Sequence, residues 1–237
     1  MTADPSSASA PEKPSLRERK KLKTRAALVD TALELFTQRG FDGVTLDELC
    51  EAVEVSKRTF FRNFASKEQV AFTPLETLWN GLRDDVEHLS FGRAPVLEVL
   101  EEALLAALAR MDDGGGAWVT RVRLTQELAE RTPSIAAYGF QYCDRTSAVV
   151  EATLQRRLGL DHGDPRPRLA LDLVVAAFHA ALRAWTSKPG ALTHSDLAAE
   201  LRSAFTAIPG AVTFSGGSPD AGAGGPSERE ARGRAGR

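Results

Sequence analysis

The chain is poor in the residues that most often carry catalysis or hold metals. Its 237 residues include two cysteines, four histidines and two tyrosines. Cys50 and Cys143 lie far apart with no metal-ligand spacing, which excludes a disulfide framework and a zinc site and fits a reducing compartment. No histidines recur at a metal-binding interval. There is no glycine-rich phosphate loop, no Gly-x-Ser-x-Gly and no pairing of cysteine with histidine. No uninterrupted apolar run reaches the roughly 18 residues of a membrane span. The opening MTADPSSASAPEKPS lacks the apolar segment of a secretory signal. These absences predict a cytoplasmic protein that is not an enzyme, with no catalytic residues, metal, cofactor or membrane partner.

Charge is present but balanced. Lys and Arg number 30 against 32 Asp and Glu, a formal net charge of −2, so the total is silent about a polyanionic partner. The distribution is informative. From Lys13 to Arg25 seven cations stand against one acid, Glu18, and from Ser56 to Lys67 stand Lys57, Arg58, Arg62 and Lys67 with no acid. Each block is either a solvated helix face or a surface for phosphates.

Helical spacing fills the chain, and no alternating strand pattern interrupts it. The fold class is therefore all-α, with about nine helices: a three-helix helix-turn-helix head followed by a helical bundle. Residues 1–15 and 210–237 read as disordered tails, 16–72 as the head and 73–209 as the body. The first helix spans Leu16 to Arg39, with Leu28, Val29, Ala32, Leu33 and Phe36 as its apolar stripe. Thr45 with Glu48 makes a capping box for the second helix, and Ser56 caps a short basic third helix from Lys57 to Asn63. Ser66 caps a long fourth helix, in which Pro74 predicts a kink or an irregular start. Further helices are expected near 95–111, 117–131, 134–158, 166–187 and 194–207.

Two helices joined by a tight turn, the second short and basic, describe a helix-turn-helix over 45–64. Lys57, Arg58, Thr59, Arg62 and Asn63 can offer polar groups to base edges, although one short helix cannot turn them all to a groove. Arg and Lys suit guanine, and Asn suits adenine. Thr45, Ser56 and Lys67 begin helices, where free N–H groups favour phosphate, and are placed to position the protein on the backbone. The segment GFDGVTLDELCEAVEVSKRTFFRNFASKEQV, Gly40 to Val70, resembles the signature of the tetracycline-repressor (TetR) family. The matching features are Gly40-Phe41, Thr45, Leu49-Cys50, the Val53 to Ser56 turn, Thr59-Phe60-Phe61, Phe64 and Ser66-Lys67-Glu68. Two positions depart from the family pattern. Glu54 replaces the turn glycine, at a steric cost if φ is positive. Phe61 replaces a tyrosine and lacks the hydroxyl, so it either packs on the DNA backbone or fills the core. Phe60 and Phe64 are expected in the core.

The resemblance implies a homodimeric repressor on a palindromic operator, joined through the last two helices (about 166–187 and 194–207) and released by a small effector. A monomer core, a ligand-independent regulator, an activator and an enzyme built on the body remain as alternatives. Trp79, Trp118, Phe140 and Phe178, with Gln126, Thr146 and His179 as polar handles, either line an effector pocket, for which an apolar ligand is expected, or are plain core.

Overall fold

The structure, a computed structural model, describes residues 15–112 and 114–214. Among the described residues it contains nine α-helices and no strand. They are α1 (Leu16–Arg39), α2 (Leu46–Ala52), α3 (Lys57–Asn63), α4 (Lys67–Val86), α5 (Val96–Ala109), α6 (Ala117–Arg131), α7 (Pro133–Leu158), α8 (Arg166–Thr186) and α9 (His194–Ala211).

Local chemistry accounts for the helix starts. Ser15 and Glu18 form a capping box for α1, as Thr45 and Glu48 do for α2. Ser56 and Ser66 accept from the third backbone N–H of α3 and α4. Ser15, expected in a tail, is therefore the cap of α1. The C-terminal tail begins later than 210, because α9 continues through Pro209 to Ala211. Most of both tails, Lys13 included, lies outside the described residues.

Helix α4 continues through Pro74 from a regular start at Lys67, so the expected irregular start is not seen. Proline cannot donate to the carbonyl of Val70, but α6 supports the helix here. Trp118 Nε1 donates to Pro74 O at 3.2 Å and Thr125 Oγ1 to Ala71 O at 2.7 Å.

Among the described residues there are two apolar cores, and α4 serves both. Val70 and Ala71 belong to the head core with Leu28, Leu33, Phe36, Leu49 and Phe60. From Phe72 onward α4 turns into the body core against α5, α6 and α7, with Trp79 meeting Phe178 of α8. The head is not a bead on a linker. Leu128 of α6 and Ile135 of α7 complete its core, and Arg121 grips Asp30 of α1 through two hydrogen bonds of 2.6 and 2.9 Å. Helices α6 and α7 are therefore in direct contact with the head.

Helix α8 is long and apolar enough to cross a membrane by length and composition alone, with a mean hydropathy of 1.4. This differs from the expectation drawn from uninterrupted runs, because scattered charges do not stop the average from being high. Leu171, Val174, Phe178, Leu182 and Trp185 are packed into the body core, but only 39% of its most apolar stretch is buried. The outward stripe contains Leu169, Ala176 and Ala180, all exposed.

Candidate nucleic-acid interface

The turn between α2 and α3 is closed by Glu54 N donating to Glu51 O and Val55 N to Cys50 O. Glu54 sits at φ 55°, the only non-glycine residue with positive φ among the described residues. A side chain in this region costs about 1–2 kcal/mol. Glu54→Gly is expected to stabilise the protein by about 1 kcal/mol against denaturant. An unchanged or lower midpoint would show that the turn carries no such strain.

Helix α3 presents its cations outward. Arg58 and Arg62 are exposed and have no acidic partner among the described residues. Lys57 is exposed and paired at 2.7 Å with Asp47, itself exposed. Thr59 is half-buried beside Ser56, whose hydroxyl caps the helix. Asn63 does not face outward as expected for an adenine reader. Its Nδ2 donates to Thr59 O at 2.8 Å, and its Oδ1 is buried without a partner. Phe60 and Phe64 are core residues. Phe61 is 57% exposed and meets Phe60 edge-on, so it is an apolar surface beside Arg58 and Arg62 and does not fill the core.

Thr45 and Lys67, expected at phosphates, are largely committed elsewhere. The Thr45 hydroxyl donates to Glu48, whose carboxyl is held at about 2 by Arg39 and by the Thr45 backbone and side chain. Lys67 Nζ donates to the carbonyls of Phe41 and Val44, at 2.8 and 2.5 Å, and lies over the Phe41 ring. It therefore clasps the loop between α1 and α2. A cation in the first turn of a helix opposes the dipole, and this was the available sign of a structural role.

Sequence reading missed the joint behind α3. Arg25 of α1 donates to Asn63 O at 2.6 Å, lies 4.2 Å over the Phe64 ring and approaches Glu76 of α4 at 3.9 Å. Glu76 is buried, accepts from Tyr138 Oη of α7 at 2.5 Å and takes a longer bond from Gln69. Burial, then this bond to Glu76, pushes the Tyr138 hydroxyl upward. Tyr142, which donates to Asn80 Oδ1 at 2.8 Å, is pushed to about 12, chiefly by burial. A polar path, with a long ion-pair step between Arg25 and Glu76, thus runs from the C-terminal end of α3 to α7. Its sequence signal was an acid inside the apolar run of α4.

The expected effector residues converge only in part. Gln126, Phe140 and His179 line one open cavity of about 210 Å³ between α4, α6, α7 and α8, with Phe72 and Gly139. Phe140 is exposed at this cavity, and burial lowers the His179 pKa. Trp118 borders a different hollow of about 400 Å³ near His194. Trp79 and Phe178 pack against each other in the core, their rings 5.1 Å apart, and Thr146 is buried on α7. Trp79 Nε1 is buried with no hydrogen-bond partner among the described residues.

Known proteins share both halves of this architecture. The model of the tetR family of bacterial regulatory proteins matches residues 28–72, and that of the MftR C-terminal domain matches 94–209. The HTH-type transcriptional regulator TcmR of Streptomyces glaucescens is 35% identical over 191 residues, covering 78% of this chain and 82% of TcmR. MftR of Mycobacterium tuberculosis is 27% identical over 144 residues, 60% of this chain and 69% of MftR. Thermus thermophilus FadR, a TetR-family repressor solved with lauroyl-CoA, is 27% identical, covers 82% of this chain and 97% of its own, and superposes with a TM-score of 0.48. With a cationic α3 on a capped helix-turn-helix and relatives matched across head and body, this chain belongs to the tetR family of DNA-binding transcription regulators.

Proposed function

We propose that the protein is a cytoplasmic homodimeric repressor, with no catalytic role, in which α3 reads a palindromic operator and a small apolar effector releases it. The observation that carries this reading is α3 itself: Arg58, Phe61 and Arg62 are exposed together on a short helix whose other aromatic residue, Phe60, is buried. Arg58 and Arg62 suit guanine edges or phosphates, and Phe61 suits an apolar contact such as a thymine methyl.

The under-buried apolar stripe of α8 supports pairing with a second copy through α8 and α9, which would set two heads about one helical turn of DNA, roughly 34 Å, apart. The cavity beside Phe72 supports the effector site. At about 210 Å³ it is smaller than most drug-sized sites. A Cβ added at Gly139 would stand 2.7 Å from the Phe72 ring, so α7 lies closely on Phe72. A ligand that shifts Phe72 would displace α7, draw Tyr138 from Glu76 and loosen the hold of Arg25 on α3. Such couplings are typically worth about 1–3 kcal/mol.

The test is a reporter promoter carrying a duplex that the protein selects from a random pool. Repression that small apolar compounds relieve supports the reading. Activation, or repression that no compound relieves, favours the ligand-independent or activator alternative. Tyr138→Phe is expected to lower stability by about 1–3 kcal/mol, because Glu76 loses its shortest hydrogen bond, and to reduce ligand-induced release. Thermal unfolding and titration of the bound duplex measure the two effects, and unchanged release would disconnect α7 from the head.

A further inference from the structure

The first buried residue of α1 is Leu28, yet the helix begins at Leu16. Residues 16–23 are exposed one after another. The stretch from Leu16 to Ala27 projects about 18 Å at 1.5 Å per residue, and it precedes the segment matched by the family's head model. Apart from Arg25, which is turned to Asn63 and Phe64, it carries Arg17, Arg19, Lys20, Lys21 and Lys23 against one acid, Glu18, which is engaged in the capping box with Ser15. None of these five cations has an acidic partner among the described residues.

Stability does not explain this arrangement. Cations near a helix N-terminus oppose the dipole. Arg17 with Lys21 and Arg19 with Lys23 are like charges at i,i+4, each mildly destabilising. Residues 16–23 bury nothing, and so short a helical stretch without packing is marginal in water. One face of it has a neighbour. Arg17, Lys20, Lys21 and Thr24 share an open cleft of about 460 Å³ with Arg62 and Asn63, at the end of the recognition helix.

We infer that the first three turns of α1 are a second DNA-binding element, which grips the phosphate backbone of the operator beside the half-site read by α3. A polyanion neutralises the repulsion along the arm. The shared cleft with Arg62 makes the same duplex that α3 binds the partner with both the charge and the position. Phosphate contacts of this kind add affinity and register without adding sequence preference. The inference rests on the DNA-binding reading of α3 but fails separately from it.

The test uses the full chain and a duplex selected from a random pool, comparing wild type with the triple variant Arg17→Ala, Lys20→Ala, Lys21→Ala. The dependence of log affinity on log salt is expected to become shallower by about 0.9 for each phosphate that the arm no longer neutralises. Hydroxyl-radical protection is expected to shrink at the outer flanks. The preference for selected over scrambled duplex should persist, as should the thermal midpoint, because these side chains are exposed. An unchanged slope and footprint, with specific binding intact, would overturn the arm and leave α3 untouched. Wild type that binds no duplex would overturn both. Leu16 and Leu22 are also exposed. Binding to phosphatidylglycerol vesicles that the variant abolishes, with the operator slope unchanged, would give the arm to a lipid surface and overturn its assignment to DNA.

Discussion

Arg58→Ala is expected to weaken operator binding by about 1–3 kcal/mol per half-site, and by about twice that in a dimer that reads two. A penalty of 1.4 kcal/mol is tenfold in affinity, so the dimer would bind more weakly by between about 30-fold and about four orders of magnitude. The guanidinium stands free on the outer face of α3, near its capped start, and nothing in the fold depends on it. The effect should fall on one base position, relaxing the sequence preference there. A contact made only to phosphate would weaken all duplexes alike. Competition between duplexes differing at single positions separates the two. Binding unchanged by the substitution would remove α3 as the reading helix.

Lys67→Met is expected to destabilise the protein by about 2 kcal/mol, because it orphans two carbonyls that one ammonium now satisfies. Phe41 O and Val44 O lie in the loop that carries α1 into α2, and the charge over the Phe41 ring disappears with the ammonium. Operator affinity measured well below the unfolding transition should keep its salt dependence. The opposite pattern, unchanged stability with a shallower salt slope, would return Lys67 to the phosphate role that its place at a helix start implies.

These two residues mark how far the sequence was legible. Apolar periodicity and side-chain caps are local signals, and they placed the helices within a few residues: Thr45, Ser56 and Ser66 stand where their hydroxyls accept the orphan N–H groups. Glu54 was readable as strained because it stands where the family pattern has glycine, and its φ of 55° agrees. Phe60 and Phe64 followed from the same pattern. What stayed hidden depends on packing between distant elements. Asn63 turns inward onto Thr59, and Lys67 folds back on a loop more than twenty residues earlier. Helix spacing alone gives neither direction. The effector residues scattered for the same reason, since an aromatic side chain on a helix has one preferred face but no label saying which cavity it borders. The path through Arg25, Glu76 and Tyr138 joins three helices, and only its buried acid left a trace in the sequence. Pro74 does not end α4, and the turn before it is held from outside by Trp118 and Thr125 of α6.

The central claim is that α3 reads DNA sequence as part of a two-fold assembly. Selection of bound duplexes from a random pool by the full-length protein tests it most directly. The structure predicts an inverted repeat with half-sites about one helical turn apart, and disappearance of that enrichment with Arg58→Ala. A pool that yields no preferred sequence, or the same sequence with Arg58→Ala, would contradict it.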